Sequence, residues 1–239
     1  MGRAFEYRKE RKFKRWGAMA IAFTRVGREI AIAVKNGGPN PEANPKLRIA
    51  IQNAKAVQMP KDRVEAAIKR ASSKDEKDFE EVVYEGIGPG GVAIMVECAT
   101  DNTTRTVANV RVLFSKGGGA LGTSGSVGYL FERKGIFKVE SGKIKLDVVE
   151  LDLIDGGAED IYEEDGTVYI ETSFNDFGNM QKKLDELNIE ISGAELLRIP
   201  MNKNAVPPDA EKLVHNLIEK LEEDEDVVNV FHNMVETME

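Results

Sequence analysis

At 239 residues, with 41% apolar side chains, a mean hydropathy of −0.34 and a formal charge of −8, the chain is long enough for more than one compact unit and has the composition of a soluble protein. No apolar stretch approaches the roughly 18–20 residues of a membrane span, no apolar signal core follows the charged start, and a single cysteine, Cys98, excludes an internal disulfide framework. A cytoplasmic protein with no membrane partner is the expectation.

The net charge conceals an asymmetry. Residues 1–77 carry 19 Lys and Arg against 8 Asp and Glu, whereas the remaining 162 residues carry 14 against 33. A basic part of this size points to nucleic acid or another polyanion as its partner.

In chain order, the first 28 residues hold Arg3, Arg8, Lys9, Arg11, Lys12, Lys14, Arg15, Arg25 and Arg28, interleaved with Phe5, Tyr7, Phe13 and Trp16. Cations neutralise phosphates and rings stack on unpaired bases, so these cations and Trp16 are candidate nucleic-acid contacts. A flexible basic tail whose aromatics dock on the chain's own body fits the same pattern.

Residues 18–36 repeat Met19, Phe23, Val26, Ile30 and Val34 at helical spacing until Gly37 and Gly38. Asn44 is placed to cap a second helix, with Pro45 at its first position and Leu47, Ile51, Ala54 and Val57 inward. Pro60 opens a third, with Val64, Ile68 and Ala71 inward. Met59, before Pro60, is expected to be extended and presented at a bend. Lys46, Arg48, Lys55, Lys61, Arg63, Lys69 and Arg70 lie off these stripes. Such charges are often only solvated, but the local excess over acids marks them as contact candidates. Together residues 1–77 read as a basic helical bundle.

Residues 84–135 bracket a strand (92–98) and a helix (103–116) between two glycine-rich turns. A phosphate loop needs glycines followed by Lys-Ser/Thr at fixed spacing, and a dinucleotide loop needs them between strand and helix. Neither arrangement is present, so tight turns are the expectation. The better anion candidate is the N-terminus of the 103–116 helix, with Arg105 beside it. A strand is expected at 126–131.

From 135 to 206 the pattern is β-α-β-β-α-β, the ferredoxin-like order, with Asp165-Gly166 as a hairpin signal. Its acids, Asp155, Glu159, Asp160, Glu163, Glu164 and Asp165, lack the oxygen-ligand spacing of a calcium loop and read as a solvated face. Residues 207–239 add one helix and one strand, which complete the sheet of residues 78–134. The expectation is α+β and multidomain: a helical bundle (1–77), a central α/β-sandwich (78–134 plus 207–239) and an inserted acidic one (135–206).

Asp224–Asp226 reads as another solvated run. Cys98 on a buried strand reads as packing, and His215 and His232 show no zinc-ligand spacing. No catalytic residue, metal or cofactor is expected. An anion-binding enzyme using Arg105 is the remote alternative.

Several strings resemble the YebC/PmpR family, which includes the mitochondrial translational activator of cytochrome oxidase. They are PEANPKLR at 41–48, MPKDRVEAAIKR at 59–70, YEGIGPGGVAIMVECATDNTTRTV at 84–107 and FSKGGGALGTSGSVGYLFERKG at 114–135. The start differs: GRAFEYRKERKFKRW replaces the Gly-His-Ser-Lys-Trp-like segment common in the family. The resemblance implies three domains and a non-enzymatic regulator of gene expression. It implies either a DNA-binding transcriptional regulator or a ribosome-associated translation factor bound to rRNA.

Overall fold

Three helices begin the chain. In this computed structural model, residues 3–73 and 78–235 are described, with side chains from residue 19 onward. Helix α1 (Arg3–Gly37) continues through the stretch expected as a basic tail. At about 1.5 Å per residue it is roughly 50 Å long. Its buried residues Val26, Ile30, Ala33 and Val34 fall on one face and pack against Leu47, Ala50 and Ala54 of α2 (Pro45–Ala56) and Val64 and Ala71 of α3 (Lys61–Ala71). Asn44 fixes the α1–α2 corner. Its Oδ1 accepts from Leu47 N at 3.1 Å, while its Nδ2 donates to Ala33 O at 2.7 Å and Gly38 O at 2.9 Å. One buried amide thus caps one helix and closes the other.

The first sheet has the order β3-β1-β2-β8, with β1 (Glu80–Ile87), β2 (Ala93–Thr100), β3 (Ala120–Leu121) and β8 (Val227–His232), every pair antiparallel. Helices α4 (Thr103–Lys116) and α7 (Pro208–Glu222) cover one face, where Ile94, Val96 and Cys98 meet Val110, Phe114, Leu217 and Leu221. Ala93 and Met95 point the other way, toward Val127 and Phe131. Strand β2 is therefore buried on both faces, which explains the apolar run Val92–Val96 before the half-buried Glu97.

The second sheet has the order β5-β6-β4-β7, from β4 (Phe131–Glu140), β5 (Ala158–Glu164), β6 (Thr167–Ser173) and β7 (Gly193–Pro200). With α5 (Leu146–Asp155) and α6 (Phe177–Glu186) it makes the ferredoxin-like order. Asp165 (φ 47°) and Gly166 (φ 74°) form the two-residue hairpin between β5 and β6.

One expected element is absent. Residues 126–131 form no strand of the first sheet. Gly128–Leu130 is a 3-10 turn, and Phe131 already pairs with Pro200 in the second sheet. The cause is Glu85 of β1, whose side chain draws the 125–128 backbone into a loop.

Candidate nucleic-acid interface

One loop of backbone donors is filled by a carboxylate of the chain itself, and a second buried carboxylate lies beside the α4 N-terminus. Glu85, only 8% exposed, accepts from Gly125 N (2.8 Å), Val127 N (2.8 Å) and Gly128 N (2.7 Å). Gly125 has φ +83°, the left-handed conformation this wrap requires. Burial pushes the Glu85 carboxyl up, but the three backbone donors and Arg198 outweigh it and hold the group below its ordinary range.

The second site is the α4 N-terminus. Asn102 caps it, its Oδ1 accepting from Arg105 N at 3.0 Å. Beside it lies Asp226, 3% exposed, whose Oδ2 accepts from Arg105 Nη2 (2.7 Å), Thr106 Oγ1 (2.7 Å) and Thr100 Oγ1 (3.1 Å). Its Oδ1 pairs with Arg28 Nη1 at 3.1 Å. Burial raises the Asp226 carboxyl, yet its hydrogen bonds from Arg105, Thr106 and Thr100 and the Arg28 charge bring it below the usual value. Asp226 is thus no member of a solvated run. A phosphate placed at this helix end would meet a buried carboxylate.

These contacts revise the list of candidate cations. Arg28 also donates to Ala99 O and lies 5.3 Å from the Phe79 ring centroid. Arg105 bridges Asp226 and Asp101, the latter at 3.0 Å. Arg25 donates to Glu222 O at 3.2 Å. Arg48 donates to Pro41 O and Glu42 O and pairs with Asp185 at 2.6 Å. All four join one part of the chain to another. The bundle is held further by Asn53, whose amide donates to Ala194 O (3.0 Å) and accepts from Ala194 N (3.2 Å) on β7.

What remains is outward-facing. Lys46 on α2, Lys55 on α2, and Lys61 and Arg63 on α3 are exposed, as are Lys69 and Arg70. Lys61 makes one long contact, 3.6 Å to Glu65, with its side chain 91% exposed. Arg63 stands 5.7 Å from the Phe23 ring centroid. Pro60 opens α3 from its cap position. Met59 at the bend is half-buried: it packs on the bundle core and lines the open groove between α1 and α3, its N–H donating to Ala54 O at 2.8 Å. The side chains of Arg3, Arg8, Lys9, Arg11, Lys12, Lys14, Arg15 and Trp16 lie outside the described residues.

A cavity of about 1610 Å³ lies where the bundle meets both sheets. Its charges mostly answer one another, as with Arg198 and Glu97 at 2.7 Å. Burial pushes the Glu29 carboxyl up there, against one hydrogen bond from Asn53. Among the described residues no group of three or more His, Cys, Asp or Glu is arranged to hold a metal, and no helix is long and apolar enough to cross a membrane. Burial raises the Cys98 thiol to about 12, so it carries no thiolate at neutral pH. In the β2–β8 register Cys98 pairs with Val227 and His232 with Ile94, so no Cys98–His232 pair forms.

Known proteins place this architecture. Residues 3–74 match the TACO1/YebC protein N-terminal domain, and residues 79–234 match the TACO1/YebC second and third domain. A probable transcriptional regulatory protein of Cytophaga hutchinsonii is 54% identical over 237 residues, covering 99% of this chain and 100% of the relative. One from Anaeromyxobacter dehalogenans is 48% identical, covering 98% and 100%. A conserved hypothetical protein from Aquifex aeolicus has a crystal structure that superposes with a TM-score of 0.77 at 38% identity, covering 92% of this chain and 91% of that one. The chain belongs to the TACO1/YebC family.

Proposed function

We propose that this chain is a non-enzymatic, nucleic-acid-binding regulator of gene expression that holds phosphates with the exposed cations of α2 and α3. The observation that carries this reading is the sorting of cations within one basic bundle. Arg25, Arg28 and Arg48 are spent on internal contacts, while Lys46, Lys55, Lys61, Arg63, Lys69 and Arg70 face solvent. The hold of Glu85 on the 125–128 N–H groups and the buried Asp226 beside the α4 N-terminus weigh against the phosphate-using enzyme.

The names of the relatives favour a transcriptional role, for which a DNA duplex would be the polymer bound. A ribosome-associated translation factor bound to rRNA is the second reading, favoured by α1. Beyond residue 18 its exposed side chains are Ala20, Thr24, Lys35 and Asn36 before Gly37, a poor set for reading base edges in a major groove.

The test is a salt titration of the full chain against a promoter-length DNA duplex and an rRNA fragment. Counterion release from a handful of phosphate contacts gives a log–log slope of about −3 to −5. Salt-independent binding, or none to either polymer at low salt, overturns the proposal. A sucrose-gradient profile of native lysate then separates the two readings. Nuclease-resistant co-migration with ribosomal subunits favours translation, and a free pool with promoter footprints favours transcription.

A further inference from the structure

We propose that the groove between α1 and α3 seats one unpaired base of a single-stranded nucleic acid. This inference rests on the nucleic-acid reading above and names a ligand subsite for it. The groove holds about 580 Å³, within the range of small-ligand clefts. Ala20, Gly27 and Ala31 of α1 face Ala66 and Ala67 of α3 across it. Phe23 and Phe79 supply rings, and the exposed Arg63 and Arg70 supply charge. No acid is among the described residues that line it. An apolar slot with aromatic walls and a cationic margin complements a flat ring carried on a phosphate chain. In a duplex the bases are stacked inside and cannot enter, so the ligand is single-stranded.

Gly27 is an independent indication. Glycine inside a helix costs about 0.5–1 kcal/mol relative to alanine. A Cβ built at Gly27 would meet nothing within 4 Å, unlike one at Gly37, which would lie 2.7 Å from Asn44. The chain's own packing therefore does not require glycine at position 27. In the proposed pose, glycine there leaves the α1 backbone open to close approach of the base.

In the proposed pose the base stacks on Phe23, and Arg63, 5.7 Å from that ring's centroid, takes the adjoining phosphate. Arg70 serves the next phosphate along α3. Arg28, which also lines the groove, stays bound to Asp226.

The experiment is fluorescence anisotropy of the full chain with four probes of equal length: an oligo-adenosine RNA strand, its DNA counterpart, an abasic strand and a duplex. The parent is expected to bind the base-bearing strands about tenfold tighter than the abasic strand, the effect of one stacked base. Gly27→Leu fills the groove and should abolish that difference while leaving abasic and duplex affinity unchanged. Phe23→Leu should reduce it several-fold and serves as the reading if Gly27→Leu fails to fold. Gly27→Ala should melt slightly higher than the parent. The RNA and DNA arms separate the two sources of an unpaired base, and a base preference on either supports the groove. If the parent shows no base preference, or a folded Phe23→Leu or Gly27→Leu keeps it in full, the groove is rejected and the electrostatic reading stands. If none of the four probes binds at low salt, the nucleic-acid reading falls and the groove with it.

Discussion

Arg28 and Asp226 form a buried ion pair at 3.1 Å, with side chains 12% and 4% exposed, that ties the first helix to the turn before the last strand. Breaking such a pair from one side leaves a charge without its partner, at a cost of about 3–5 kcal/mol. Asp226→Asn is therefore expected to lower unfolding stability in urea by roughly 3 kcal/mol. Arg105→Ala, which removes a half-exposed partner of the same carboxylate, should cost much less and leave nucleic-acid affinity unchanged. An Asp226→Asn protein that unfolds at the parent's urea midpoint would refute the hub.

How much of this is legible in the sequence follows from the range of each signal. Val26, Ile30 and Val34, and Leu47 and Ala54, follow local periodicities, as the Asn44 cap follows a local pattern, whereas the buried Ala33 and Ala50 emerge only in the packing. The β-α-β-β-α-β order shows itself the same way, with the Asp165-Gly166 turn as punctuation. The last strand pairs with β2, a neighbour that a count of elements does not name, since it assigns the strand only to the sheet of residues 78–134. Asp226 is different. Within Asp224–Asp226 nothing in the sequence distinguishes the buried acid from the half-buried Asp224 and the exposed Glu225, since Thr100, Arg105 and Arg28 reach it only through the fold. The strand expected at 126–131 fails for a similar reason. Its composition suits a strand, but three of its neighbourhood's N–H groups go to Glu85 instead of a ladder. The internal roles of Arg25, Arg28, Arg48 and Arg105 likewise depend on partners distant in sequence. A charge count identifies a basic segment but not which of its cations are free.

Glu85 makes stability depend on acid. Its carboxyl is held below the ordinary value in the folded chain, so the folded state favours the ionised form. The stabilisation is full above the unfolded value near 4.3 and is lost as pH falls through the lower folded one. Asp226 contributes with the same sign. Glu85→Gln is expected to cost about 2–3 kcal/mol at pH 7, because a neutral amide accepts fewer of the three N–H donors. The variant should also lose part of the parent's decline in stability between pH 5 and pH 3. Parallel stability–pH curves for parent and variant would show that the loop does not depend on this carboxylate.

The last prediction concerns the first turn of α3. Lys61 and Arg63 stand where free N–H groups give the helix its positive end, and each cation there is unfavourable by about 0.3–1 kcal/mol. Asp62 offsets part of this. Neither cation is needed by the bundle core, which takes Val64, Ala67, Ile68 and Ala71 from this helix. Lys61 has only a solvent-exposed contact with Glu65 at 3.6 Å, and such pairs contribute little. An external phosphate would turn the same two charges from a local cost into a binding site. Lys61→Ala combined with Arg63→Ala should therefore leave the melting temperature unchanged or raise it by up to about 2–4 °C. The same double variant should bind nucleic acid more weakly and show a log–log salt slope shallower by about 2, one for each phosphate contact removed. A double variant that melts several degrees lower and binds with the parent's affinity and slope would assign these cations to the bundle's own stability and remove them from the interface.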